Sequence, residues 1–324
     1  MVSLLTFALQ NVDFLPCGGY NNKDNKYRED DNMFELVNLA GNTYCYTMPT
    51  NVVFYVTEDK DAYVIDTGIN EKSAKRIISA AEEQGWNIKA VILTHAHTDH
   101  AGGCKYLVEN TGVNAYATEA ERIFVEKPDL EPAIVYGAFP CRDFRGKFMN
   151  TPACKVADIK ELALPKGMEI FHLPGHFADM IGVKTPDDVY FVADAVISDK
   201  TLDACPMSYI FDVEAQYNTL EDIKRFDGKL CVPSHAEPTR ELASLAQFNI
   251  DSLNKVNSVL LDLLSSPASV EELTAKLMHI WSLPETYMQF VMTSAGVRGH
   301  LTYLRHKGLV SYDFDNNRML WTKV

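Results

Sequence analysis

The chain has 324 residues, 47% of them hydrophobic, enough for one large α/β core and a small second domain. Its 30 basic and 44 acidic side chains leave a net charge of −14, which repels phosphate backbones and anionic membranes in the absence of a local basic patch. Seven scattered cysteines with no Cys-x-x-Cys pair argue for reduced thiols in a cytoplasmic protein, and no apolar run reaches the roughly 18 residues that span a bilayer.

The opening MVSLLTFALQ is apolar but lacks a basic start and an Ala-x-Ala cleavage pattern, so a short terminal strand or helix is expected rather than a signal peptide. The polar stretch 18–32 reads as an exposed loop or hairpin. Strands are expected near 43–48, 51–57 and 62–66, followed by an amphipathic helix over 71–84 with Ile77, Ile78 and Ala81 inward. The next segment, VILTHAHTDHAGG at 91–103, changes abruptly from a β-branched apolar strand to a polar loop. His95 and His97 sit two apart, so an extended backbone points both rings to one side. Asp99 and His100 follow, and Gly102-Gly103 are read as loosening the backbone for a turn into a helix near 105–109. Three imidazoles and a carboxylate at a strand end are donors that Zn²⁺ and similar ions prefer. Protonated rings so close would repel one another unless a metal held them.

Further on, a strand is expected at Asn114–Thr118 and a helix near 119–126. Residues 127–160 show no clear period and are read as an insertion over the metal loop. Strands are expected at 168–173, 181–185 and 188–193, a helix near 219–226, and another strand within KLCVPSH. A long amphipathic helix then carries Leu242, Leu245, Phe248, Leu253, Val256, Leu260 and Leu263, and SSPAS at 265–269 ends it. The last residues change character. Ser269-x-x-Glu272 predicts a capping box, two further helices are expected at about 284–292 and 294–307, and a hairpin turns at Asp-Asn-Asn. Three helices and a hairpin resemble a winged helix, carrying +1 from 266 onward against −15 for the rest. Arg298, Arg305 and Lys307, with His300 and His306, fall on the third helix, where a nucleic-acid-binding winged helix would carry its recognition residues.

His95-x-His97-x-Asp99-His100 resembles the signature of the metallo-β-lactamase-fold hydrolases, which include glyoxalase II enzymes and acyl-homoserine lactonases. Matching segments follow in order: His176 in LPGHFAD, Asp194 in VYFVADA and His235 in LCVPSHAEP, with an earlier strand ending in Asp66-Thr67-Gly68. The resemblance covers roughly residues 35–240. It implies an α/β fold, an αββα sandwich over 1–265, followed by a small α+β winged-helix-like domain over 266–324. By position, His95, His97 and His176 resemble the ligands of a first metal, and Asp99, His100 and His235 those of a second, with Asp194 bridging. Asp66 would orient a ligand rather than bind. The implied cofactors are two divalent ions, Zn²⁺ foremost, with Fe or Mn also suited to these donors. The implied chemistry is hydrolysis of a small ester, thioester or lactone by a metal-bridging hydroxide, with Asp99 and Asp194 in the catalytic group.

The sequence departs from many relatives in reading GHFADMIG at the third histidine, where Phe177 and Asp179 alter the pocket wall. It shows no counterpart of the basic and tyrosine cluster with which glyoxalase II holds glutathione. Tyr209 is a candidate for the hydrogen-bonding tyrosine of a lactonase, or for a core tyrosine. Two other activities stay open: a nuclease or phosphodiesterase of the same fold, and a mononuclear iron enzyme oxidising sulfur. The expected partner is a small-molecule substrate, with nucleic acid disfavoured and no membrane. A homodimer is considered, with the third-helix face and the 127–160 loop as the places to look for its interface.

Overall fold

The structure is a computed structural model that describes residues 34–146, 149 and 151–324. The expected terminal element at 1–10 and the loop at 18–32 lie outside the described residues. Two sheets carry the fold. The larger has seven strands in sequence order: β1 (Leu36–Ala40), β2 (Thr43–Tyr46), β3 (Val52–Val56), β4 (Asp61–Ile65), β5 (Asn87–Ile92), β6 (Ala115–Ala117) and β7 (Ala157–Asp158). β1 to β4 pair antiparallel, then β4 to β7 pair parallel across helical crossovers. The smaller sheet contains β8 (Glu169–His172), β9 (Ile181–Lys184), β10 (Val189–Ala193) and β11 (Leu230–Pro233), in the order β11-β10-β9-β8.

Strict alternation within the strands makes four layers. On β3, Val52, Phe54 and Val56 face one core while Val53 and Tyr55 face another; on β4, Ala62 and Val64 are opposed to Tyr63 and Ile65 in the same way. The first face packs against the helices α1 (Glu71–Glu83), α3 (Cys104–Thr111) and α4 (Glu119–Glu126) through Ala74, Ile77, Ala81, Leu107 and Val125. The second face meets the smaller sheet through Ile181, Val183 and Phe191, and that sheet's core continues into α7 (Val213–Ile223) and α8 (Leu242–Leu263). A side chain such as Phe54, fully buried, contributes about 1.5–3 kcal/mol relative to exposure. The layering accords with the expected αββα sandwich.

Several boundaries differ from the sequence expectation. The helix expected near 219–226 begins earlier, because Asp212 caps the Ala215 amide. Strands at 36–40 and 157–158 lacked a sequence signal. The two helices expected at 284–292 and 294–307 are one 20-residue helix, α10 (Tyr287–His306), which runs through Thr293, Ser294 and Gly296 without a break. These small residues are buried, and Gly296 lies against Met207, so they mark close packing rather than a helix end. The capping box of α9 (Val270–Ile280) forms as its sequence predicts, and the final hairpin pairs β12 (Val310–Asp315) with β13 (Arg318–Lys323). A third core joins Val256, Leu260 and Leu264 at the end of α8 to Leu273, Leu277, Val297 and Leu301. His300 belongs to no recognition surface. It is buried with Nδ1 against the Asn257 side chain, and burial pulls its pKa down to about 4.

The helix α10 also packs on α5 (Leu130–Tyr136), where Val291 and Met292 meet Val135, Phe144 and Met149. The first half of α10, the helix expected at 284–292, and the 127–160 segment therefore partly cover one another within a single chain, whereas the third-helix residues beyond 294 contribute little to that contact.

Gly102 and Gly103 serve a different purpose from the turn inferred from sequence. Both sit in ordinary right-handed helical backbone, Gly102 ending the short helix α2 (Thr98–Ala101). A Cβ on Gly102 would collide with the Ile69 carbonyl, and one on Gly103 with the Thr67 carbonyl oxygen. The absence of a side chain lets this helix lie directly on the loop after β4, where the Gly103 amide donates to Gly68 O at 3.0 Å and the Thr67 amide to His100 O at 2.8 Å. Gly102→Ala should therefore destabilise by about 2 kcal/mol or more through overpacking. Gly146→Ala, into open space, should leave the denaturation midpoint within experimental error. Equal midpoints for the two variants in urea would contradict the close-approach account.

Candidate metal centre

All the proposed donors arrive at one end of the sandwich. β5 delivers the loop with His95, His97, Asp99 and His100; the β8–β9 connection delivers His176; β10 delivers Asp194; β11 delivers His235. The structure brings all seven together. Their ligand atoms form three overlapping groups, His95/His97/His176, His95/His100/Asp194 and Asp99/His100/His235, with the atoms of each within 4.8 Å of one another. His95 Nε2 and His176 Nε2 lie 3.0 and 2.9 Å from His97 Nδ1. Asp194 has Oδ1 3.3 Å from His100 Nε2, and Oδ2 3.5 Å from His176 Nε2 and 3.4 Å from His235 Nε2. It thus stands between the two histidine sets. Two residues next to the cluster carry left-handed backbone without being glycine, Asp66 at φ 64° and Ala193 at φ 48°. Such strain costs on the order of 1–3 kcal/mol and persists only where the surroundings enforce it.

The back of each ring is held by protein. The His235 Nδ1–H donates to the Pro49 carbonyl at 3.0 Å, which leaves Nε2 facing inward. His100 Nδ1–H donates to Asp66 Oδ2 at 2.8 Å, and Asp66 also accepts from the Thr94 amide and hydroxyl. Because the Thr94 hydroxyl proton is used on Asp66, the Thr94 oxygen accepts from His95 Nδ1 at 3.0 Å, and His95 Nε2 turns inward as a free lone pair. Asp66 therefore orients His100 and, through Thr94, His95. The Thr50 hydroxyl donates to Asp99 Oδ2 at 3.2 Å. The ring of His97 rests on Phe177, centroids 4.5 Å apart.

Electrostatics divide the cluster in two. Burial, reinforced by the neighbouring rings, keeps His95, His97 and His176 neutral and pushes His97 down to about 3. Burial also opposes charge on His100 and His235, but Asp194 and Asp99 outweigh it; His100 is held well above the ordinary histidine range and His235 at about 10. Asp99 and Asp194 stay ionised despite burial because His100 and His235 face them.

The donor set fits divalent ions. Neutral nitrogens about 3 Å apart in mutual lone-pair contact repel unless a cation lies between them. His100 Nε2, His235 Nε2 and Asp194 Oδ1 are buried with no hydrogen-bond partner, each aimed into the cluster.

Two acidic residues here escaped the sequence reading. Glu131, on α5, is buried with Oε1 3.8 Å from His97 Nε2, and burial raises its pKa well above the ordinary range. Glu121, on α4, is fully buried and accepts from the amides of Ala96 and Asp179. The alternation of apolar positions on α4 could have flagged Glu121 as inward-facing. Two expectations about the pocket wall are revised. Asp179 turns its side chain away to His172 at 2.8 Å, and Phe177 is fully buried rather than lining open space. Tyr209 is mostly buried near His97, its ring centroid 6.4 Å away. Beside Asp99, a shallow cleft is lined by Met48, Pro49, Thr50, Gly68, Ile69 and Ser73. A second small space lies behind His176 and Asp194. No lysine or arginine lines either among the described residues.

Comparison with known proteins agrees with this geometry. The sequence pattern of the Metallo-beta-lactamase superfamily matches residues 46–235. A hydroxyacylglutathione hydrolase of Prochlorococcus marinus is 28% identical over 177 residues, covering 54% of this chain and 59% of that protein. One from Haemophilus influenzae is 28% identical over 140 residues, covering 43% and 63%. The chain thus spans less than two thirds of these relatives' length. Among solved structures, a beta-lactamase domain protein from Burkholderia ambifaria superposes with a TM-score of 0.70 at 16% identity, over 90% of this chain and 94% of that one. A metallo-beta-lactamase family protein from Thermus thermophilus gives 0.64 at 16% identity, over 90% and 99%. At that identity the likeness concerns the fold alone. The match over most of the sandwich, on top of the histidine and aspartate geometry, identifies the chain as a member of the metallo-beta-lactamase superfamily.

Proposed function

We propose that the protein is a metal-dependent hydrolase that uses two divalent ions, zinc foremost, on a small ester, thioester or lactone. The observation that carries this reading is the convergence of seven histidine and aspartate donors, among them the buried atoms of His100, His235 and Asp194 that make no hydrogen bond and face only the other members of the cluster. His95, His97 and His176 would hold one ion, Asp99, His100 and His235 the other, and Asp194 would serve both. Divalent ions bound there supply Lewis acidity, generating hydroxide from water near neutral pH and polarising a carbonyl. The chain's own residues do the rest. Asp66, Thr94 and Pro49 fix the ring orientations. Asp99 is the more open of the two carboxylates, its side chain 29% exposed against 8% for Asp194, and it lines the cleft where a substrate would enter. Held ionised by His100 and His235, it is a charged ligand facing that cleft.

The curated relatives are named for hydroxyacylglutathione hydrolysis, which supports an acyl substrate. Nucleic-acid cleavage is less well supported. On and beside α10, Lys307 and His306 pair with Glu214, and Arg298 approaches Glu271. Among the described residues no helix is long and apolar enough to cross a membrane.

Protein purified without added metal should carry about two zinc ions per chain, and Asp194→Ala should lose a large part of them. One iron per chain, unaffected by the substitution, would sink the dinuclear reading. Metal-loaded protein should turn over short acyl thioesters, esters or lactones, whereas phosphodiester cleavage without acyl turnover would reverse the order of the two readings.

The two histidine sets should also differ in proton linkage. An ion entering among His95, His97 and His176 meets rings whose pKa values burial holds below the ordinary histidine range, so its affinity should vary little with pH from neutrality upward. An ion at His100 and His235 must displace protons, about one from each ring, so its apparent affinity should rise with pH toward about 10. Calorimetric titration in buffers of different ionisation enthalpy measures this, and equal proton release for both ions would contradict the division.

A further inference from the structure

Glu121 is a fully buried carboxyl group with no cationic side chain against it, and burial pushes its pKa up to about 8. An isolated buried carboxylate is costly unless its oxygens are satisfied. Here both are satisfied by main chain: Oε2 accepts the Ala96 amide at 2.9 Å, and Oε1 accepts the Asp179 amide at 2.8 Å. Ala96 lies between His95 and His97, and Asp179 lies three residues after His176. The two loops belong to different sheets, one leaving β5 and the other joining β8 to β9. From the residue just before α4, the Thr118 hydroxyl adds a third bond, donating to the Asp179 carbonyl at 3.1 Å. No other side-chain bond is seen to tie the His95–His97 segment to the His176–Asp179 segment except the contact of the rings themselves, among the described residues.

We infer that Glu121 is a positioning residue for the three-histidine group: its carboxylate straps the two histidine loops together and sets the distance at which His95, His97 and His176 converge. It touches none of the three rings. Its effect passes through the backbone of Ala96 and Asp179, and the result is the 2.9 Å approach of His176 Nε2 to His97 Nδ1 across the two loops. With the strap intact, the site is organised before an ion arrives. With it cut, the Ile181 N–H to Thr94 O bond at 3.0 Å still joins the bases of the two loops, but the segments carrying His97 and His176 gain freedom that ion binding has to remove.

The inference rests on the metal-binding reading above and is tested on the full chain with cobalt(II) and zinc. Glu121→Gln preserves the shape but sets an amide NH₂ against one of the two backbone N–H groups, so one loop is released. It should weaken ion binding at the three-histidine group by about 10- to 100-fold in chelator competition and change the visible spectrum of the cobalt form. Thr118→Val, which removes only the hydroxyl bond to Asp179, should shift both in the same direction by less. Leu301→Ala, a fully buried core truncation in the third core, should lower stability but leave spectrum and affinity alone. Unchanged affinity and spectrum in Glu121→Gln would overturn the inference. If that variant does not fold, an unchanged Thr118→Val would overturn it as well. A wild-type chain that binds neither ion would remove the metal-binding reading, and the strap with it.

Discussion

Five imidazoles and two carboxylates crowd into a space where neighbouring donor atoms stand about 3–4 Å apart, and the protein cannot satisfy them with its own hydrogen bonds. Much of the molecule is arranged to keep that frustrated cluster from relaxing. Two sheets must present their strand ends in register, Asp66 and Ala193 are held in left-handed backbone, and the rings are locked from behind by Asp66, Thr94 and Pro49. His95 and His235 turn Nε2 inward because Nδ1 is engaged behind, and the His97 ring is packed against Phe177. A cation resolves the conflict that the fold creates.

The same arrangement explains why the two halves of the cluster behave differently. Asp194 lies between them, but Asp99 makes its close contacts with His100 and His235 and acts on His97 and His176 only from further off, where burial outweighs it. One set is therefore a pocket of neutral donors, and the other a network of mutually stabilising charges. Burial is shared by both, so the contrast arises from where the carboxylates stand and not from depth.

Much of this was legible in the sequence, for a physical reason. Donor residues at strand ends follow uninterrupted apolar runs, so His95, Asp194 and His235 are visible as abrupt changes from β-branched to polar. The alternating burial of β3 and β4 and the capping box at Ser269 are local signals of the same kind. What stayed hidden depends on contacts distant in sequence. The purpose of Gly102 and Gly103 needs the β4 loop to be in place. The continuity of α10 through its small residues needs Met207 beside Gly296, and the burial of His300 needs Asn257. Glu121 and Glu131 drew no expectation because charge in a helix is usually solvated, and the spacing of four between Glu121 and the buried Val125 is the one local sign of an inward position.

The order of the strands along the chain has a consequence for biogenesis. β5 and the loop carrying His176 are both synthesised well before β11, whose end carries His235. A nascent chain therefore acquires every member of the three-histidine group while the last member of the Asp99/His100/His235 group is still missing. Closing that second group requires β11 to add in parallel beside β10, a non-local pairing of the kind that forms slowly. The cluster is thus completed in two stages, with its most strongly charged histidine network assembled last.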